Sequence, residues 1–130
     1  MPRYRRGWAS DGGGRRHGHH TGLTVAMLEP VLLMLVRQQP QHGYTLLSVL
    51  EGLGLTTVNP SVVYRILREL DGLAWIESSW DTSQTQGPPR KVYTLTPEGE
   101  TALRNWQDEL DKVQKLIDLV NRANQPGKGV

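Results

Sequence analysis

Apolar residues recur with the sharpest helical spacing between Asn59 and Leu70. Val63, Ile66, Leu67 and Leu70 fall at i, i+3, i+4 and i+7, the period of one buried stripe on a helix. Asn59 suits the N-cap and Pro60 the first helical position, and Asp71-Gly72 supplies a stop signal. The opposite side carries Ser61, Tyr64, Arg65 and Arg68, with no long carboxylate before Glu69. A hydroxyl, a phenol and two guanidinium groups on one face suit base edges and phosphates in a DNA major groove. Taken alone, the same pattern describes an amphipathic helix with a solvated face. Its neighbours decide between the two.

Upstream, Glu29-Pro30 predicts a helix start with Pro30 at the first position, and Val31 to Val36 is apolar on every side. A helix apolar all round is buried on more than one face. Gln38-Gln39-Pro40 ends it. A second helix is predicted from about His42 to Leu53, where Tyr44, Leu47, Leu50 and Leu53 keep the period and Glu51-Gly52-Leu53-Gly54 stops it. Thr56 to Val58 forms a short connector into the Asn59 helix. Two helices joined by a short turn, the second polar outside, form a helix-turn-helix.

Downstream, Leu73 to Trp80 leans towards strand, Asp81 to Pro89 is a polar connector, and Arg90 to Thr96 alternates polar and apolar. That hairpin is a wing when it follows a helix-turn-helix. Arg90 and Lys91, near its tip, are placed to meet phosphates or the minor groove; the alternative is plain solvated surface.

Thr96-Pro97-Glu98 combines a cap, an N-terminal proline and a first-turn acid, and opens a helix expected to run to about Asn124. Leu103, Trp106, Leu110, Val113, Ile117 and Val120 are spaced 3-4-3-4-3, the a/d seam of a coiled-coil contact. Leu116 and Leu119 widen it. Asp108-Lys112, Asp111-Lys115 and Asp118-Arg122 form acid-first i, i+4 pairs on the outer side. A seam this long after so small a domain predicts homodimerisation, with folding back onto the protomer as the alternative. Gln125 to Val130 reads as a frayed end.

Composition narrows the picture. With 130 residues there is room for one domain and an additional element. The absence of cysteine removes disulfides and thiolate metal sites. The longest apolar stretch, Leu23 to Val36, is broken by Glu29 and Pro30, too short for a bilayer and unlike a signal peptide. A cytoplasmic protein without membrane contact is expected. Residues 1–22 hold five arginines against Asp11, a balance of +4, while the remainder has ten basic and twelve acidic residues, a balance of −2. Nucleic-acid affinity must therefore come from placed residues and the tail rather than bulk charge. The tail, rich in Gly, Arg and His, cannot build a core; its arginines suit a minor-groove arm or a solubilising segment. His17, His19 and His20 are weak candidates for a divalent metal. No nucleophile-base-acid set, phosphate loop or metal quartet is visible and no cofactor is implied. His42, the sole histidine outside the tail, reads as structural.

Several of these residues together resemble the PadR family of transcriptional regulators. The matching motifs are His42-Gly43-Tyr44, then Pro60-Ser61-Val62-Val63-Tyr64-Arg65-Ile66-Leu67-Arg68. The stretch from Gly87 through Arg90-Lys91-Val92-Tyr93 to Gly99 continues the match. The likeness spans about Glu29 to Val120, and the motifs are specific as an ordered set. It implies a mainly α (α+β) fold: a winged helix-turn-helix over 23–96 and a C-terminal dimerisation helix over 97–124, as in the short subgroup. It also implies a regulator that binds double-stranded DNA, mostly acting as a repressor relieved by a small-molecule or stress signal, and the twofold axis of the expected homodimer predicts a palindromic operator. Asn59, Ser61, Tyr64, Arg65 and Arg68 fall in the recognition segment and Arg90 and Lys91 on the wing; Trp80 matches an aromatic common before the wing turn. Whether Arg65 and Arg68 contact guanines or phosphates stays open. In some members aromatics on the last helix line a flat pocket at the dimer centre. Trp106 is the only aromatic on that helix here, a candidate contact for a small aromatic or hydrophobic effector or plain dimer core. A metal-responsive regulator using the tail histidines and a winged-helix protein-interaction module are the competing readings.

Overall fold

The structure is a computed structural model that describes residues 22–55, 59–83 and 87–125. The Arg/His-rich tail over 1–21, with the metal candidates His17, His19 and His20, lies outside the described residues, as do the Thr56–Val58 connector and most of the final six residues. The elements run α1 (Gly22–Gln38), β1 (Gln41–His42), α2 (Gly43–Gly52), α3 (Pro60–Gly72), β2 (Ile76–Asp81), β3 (Arg90–Leu95) and α4 (Pro97–Ala123). No helix among the described residues is long and apolar enough to cross a membrane.

The all-round apolar segment sits at the centre of the core. Leu28, Leu32, Leu33, Leu35 and Val36 of α1 pack with Leu46 and Leu50 of α2 and with Val63, Ile66, Leu67 and Leu70 of α3. Ile76, Tyr93 and Ala102 close the core from the sheet and α4. The helix does not begin at Pro30. It starts at Gly22 and carries Pro30 inside, buried. Proline there removes one in-helix donor at a cost of about 3 kcal/mol. The burial of Leu28, Leu32 and Leu33 on both sides of it offsets that cost and overrides the local stop signal.

In α2 the buried stripe is Gly43, Leu46 and Leu50, not the Tyr44, Leu47, Leu50 and Leu53 period expected. Tyr44 is 69% exposed and Leu53 56%. In a helix of 10 residues both stripes satisfy the period, and the sheet decides between them. His42, expected at the helix start, instead forms a short strand with Gln41 against β3, with Gln41 opposite Tyr93 and His42 opposite Val92. The sheet order is β1-β3-β2. The wing pairs antiparallel from Ile76 opposite Leu95 to Asp81 opposite Arg90. Gln41, buried, also donates its side-chain amide to the Leu35 carbonyl at 2.9 Å, closing the end of α1.

Helices α2 and α3 end in the same way. After α2, Leu55 N–H bonds the Leu50 carbonyl and Gly54 N–H the Glu51 carbonyl, both at 3.0 Å. After α3, Trp75 bonds Leu70 and Ala74 bonds Asp71, again at 3.0 Å. These are Schellman motifs, whose turning residue is left-handed. Gly54 takes it at φ 89°, and Ala74 at φ 63°. The stop expected at Asp71-Gly72 is therefore displaced: α3 runs through Gly72 and turns at a residue with a Cβ.

The root of α4 is fixed on that turn. Thr96 caps the helix by accepting from Gly99 N–H at 3.0 Å, and its hydroxyl donates to the Ala74 carbonyl at 2.6 Å. A Cβ at Gly99 would run into the Trp75 carbonyl oxygen, so only glycine brings α4 this close. At 1.5 Å per residue its 27 residues extend about 40 Å. On its outer side none of the three acid-base pairs closes to a salt bridge. Asp111 and Asp118 instead accept from Gln107 at 3.0 Å and Gln114 at 2.9 Å.

Candidate nucleic-acid interface

Helix α3 is built as its sequence implies at the amino end. The Asn59 side-chain oxygen accepts from Ser61 N–H at 2.9 Å and from the Ser61 hydroxyl at 2.9 Å. Asn59 is thereby a cap first, with only its amide nitrogen left to meet a ligand. The apolar stripe Val63, Ile66, Leu67 and Leu70 is buried, which turns Ser61, Arg65 and Arg68 outward. Arg65 is not free: its Nη1 lies 3.5 Å from Glu69 Oε2, an exposed i, i+4 pair worth a few tenths of a kcal/mol. Arg68 is exposed.

Tyr64 does not project from the helix face. Its ring packs on Gly43, where a Cβ would meet Cε1 at 3.0 Å and the phenol oxygen at 3.4 Å. The approach of α2 to α3 is tight at Gly43, and the phenol turns towards the wing.

Between α3, the start of α2 and the wing lies a cleft of about 680 Å³. Arg68 from α3 and Arg90 and Lys91 from β3 supply its cations. Tyr44, Tyr64 and Tyr93 supply phenols, and Trp80 an indole. No carboxylate lines it among the described residues. The structure thus brings Tyr64, Arg68, Arg90 and Lys91 into one concavity, while Ser61 and Arg65 stand outside it. Lys91 lies over the Trp80 ring, its ammonium 5.7 Å from the centroid, within cation–π range.

Two further contacts hold the cleft in shape. His42 Nε2 lies 3.1 Å from Asp81 Oδ2, tying the start of α2 to the end of β2. Asp81 Oδ1 accepts from the Ser83 hydroxyl at 2.6 Å and from Ser83 N–H at 3.0 Å. These Ser83 bonds, then His42, hold the Asp81 carboxyl down at about 2. At the other end, the Ser78 hydroxyl donates to Asp71 at 3.0 Å. Burial, with the neighbouring Tyr64 and Asp71, pushes the Tyr93 phenol up, so it stays protonated at neutral pH. Tyr44 and Tyr93 in this cleft were not foreseen as site residues. Tyr44 followed an apolar period that fits its helix equally well, and Tyr93 sat in a strand pattern that marks burial but not what it faces.

The seam on α4 divides in two. Leu103 and Trp106 pack on the protomer's own core, and the indole nitrogen donates to Glu29 Oε2 at 2.8 Å. Leu110 and Val113 are half-exposed. Beyond them, Leu116 is 60% exposed, Ile117 39%, Leu119 56% and Val120 55%. Among the described residues no group of three or more His, Asp or Glu is arranged to hold a metal.

Residues 32–105 match the model of the transcriptional regulator PadR-like family. Comparison with curated proteins gives no match. A Streptococcus transcriptional regulator superposes with a TM-score of 0.69 at 25% identity, covering 78% of this chain and 99% of that one. A PadR family regulator from Eggerthella lenta gives 0.67 at 25% identity, over 78% and 88%. Bacillus subtilis PadR, whose structure is a complex with operator DNA, gives 0.56 at 29% identity, over 62% of this chain and 46% of that chain. The fold is the winged helix-turn-helix with a long last helix, and the family is one of transcriptional regulators rather than enzymes. The chain belongs to the PadR-like family of transcriptional regulators.

Proposed function

We propose that this regulator acts in the cytoplasm as a homodimeric repressor on double-stranded DNA. Each protomer seats α3 in a major groove and lays its wing along the adjoining backbone. The cleft carries this reading: cations and phenols from α2, α3 and β3 converge on one concave face that no carboxylate lines among the described residues. Such a face attracts phosphates, and α3 beside it offers the groups that read base edges. The complex of Bacillus subtilis PadR with operator DNA supports the same use of the fold.

Pairing follows from α4. Four large apolar residues on its carboxy-terminal half stand 39–60% exposed, more apolar surface on one helix than a monomer keeps uncovered. A second copy of the same seam covers it by a coiled-coil contact. A twofold axis then sets two α3 helices about one DNA turn, or a multiple, apart. An effector wedged at that seam, or against Trp106 between α4 and α1, changes the separation and releases the operator.

Selection of bound fragments from random duplex DNA tests this. The expected result is an inverted repeat with half-sites about one helical turn apart. An asymmetric site, or no enrichment at modest salt, contradicts it.

A further inference from the structure

The two arginines of α3 stand in different surroundings. At about 100° per residue, Tyr64 and Arg68 lie on the flank of the helix turned to the wing, and both line the cleft. Arg65 lies about 60° further round, outside the cleft, with its guanidinium on Glu69. The cleft has a second anion-seeking wall. Helix α2 begins there at Gly43 with no side chain capping it, and its first-turn N–H groups lack helical partners. A helix amino terminus of this kind favours phosphate.

In a duplex, one sugar-phosphate strand separates each major groove from the next minor groove. A helix seated in one groove and a hairpin laid against the other straddle that strand, so the gap between them must contain it. In this protein that gap is the cleft.

We infer that the cleft holds a phosphodiester of the operator strand running between the two grooves, clamped by Arg68 and Lys91. Base reading is then left to Arg65 and Ser61. The inference rests on the DNA-binding reading above and divides its residues into two roles. Arg68 neutralises backbone charge and carries no sequence information. Lys91 is held for the same task by the Trp80 ring beneath it. Tyr64, braced by Gly43, sets the width of the gap. The Ser61 hydroxyl, whose hydrogen is committed to Asn59, meets a base as an acceptor.

The test is equilibrium binding of the full chain to its selected operator and to a scrambled duplex, across a salt series. Arg68→Ala is expected to weaken both duplexes by the same factor and to flatten the log-log salt slope by about 1. Arg68→Lys, which keeps the charge but not the planar fork, is expected to recover the slope. Arg65→Ala is expected to lose roughly 5- to 150-fold of discrimination at one base pair, with scrambled binding little changed. Loss of preference at a single base pair in Arg68→Ala, unrescued by Arg68→Lys, would overturn the assignment while leaving the DNA-binding reading standing. A wild-type chain that binds neither duplex contradicts that reading and the clamp with it. Arg68 is exposed and Arg65 half-buried, and neither belongs to the buried stripe of α3, so neither variant removes a core side chain.

Discussion

The indole nitrogen of Trp106 donates to a carboxylate oxygen of Glu29 at 2.8 Å, joining α4 to α1 between residues 77 positions apart. Glu29 is 8% exposed, so this hydrogen bond to a buried carboxylate sets how the last helix leaves the winged domain. Hydrogen bonds to charged groups are worth about 1.5–3 kcal/mol. Trp106→Phe keeps a ring on the core and removes the donor. Its urea midpoint is expected to fall by the equivalent of about 2 kcal/mol; an unchanged midpoint would show that the bond carries no stability.

Ala74 turns the end of α3 at φ 63°, where an L residue with a Cβ costs about 1–2 kcal/mol. Gly54 does the same work after α2 without that cost. Ala74→Gly is expected to stabilise the fold by about 0.5–1 kcal/mol after the extra freedom of glycine in the unfolded chain is deducted. Gly54→Ala is expected to destabilise it. Thermal melts of the two variants moving the same way would contradict the matched Schellman ends.

Gly99 lies against the Trp75 carbonyl, backbone that cannot yield as a side chain tip does. Gly99→Ala is expected to cost about 3 kcal/mol or more, since one of two packed elements must move. Retention of the wild-type melting temperature would show that α4 can shift at its root without penalty.

Asp81 has its carboxyl lowered to about 2 by Ser83 and His42. A group depressed in the folded state contributes stability that is present above its unfolded value, near 3.8, and lost as pH falls through about 2. The gap in melting temperature between wild type and Asp81→Asn is therefore expected to be steady above pH 5 and to close between about pH 4 and 2. A gap that stays constant down to pH 2 would remove Asp81 from the wing's anchoring.

Much of this site could be read along the chain. Asn59, Pro60 and the Val63-Ile66-Leu67-Leu70 stripe specify α3 locally, because cap, proline and period agree. Arg90 to Leu95 alternates as a paired strand must. What stayed hidden depended on distant partners. The two-residue strand β1 is too short to show alternation and exists through pairing with β3. The true start of α1 was masked by Pro30, whose stop signal holds only where packing does not oppose it. That Tyr44 faces a cleft and Trp106 meets Glu29 follows from docking of whole elements, which no local spacing encodes. The different settings of Arg65 and Arg68 arise likewise from the wing, folded back from later in the chain.

In the proposed function, two copies joined through the carboxy-terminal half of α4 place two recognition faces on one operator. The most direct measurement is sedimentation equilibrium of the purified chain at micromolar concentration, alone and with its selected duplex. The expected mass is twice the 14.6 kDa of one chain for the free protein and that mass plus one duplex for the complex, with Ile117→Asp, which charges an exposed seam position, shifting the free protein towards monomer. A free chain that sediments at 14.6 kDa and leaves the duplex unbound would contradict it.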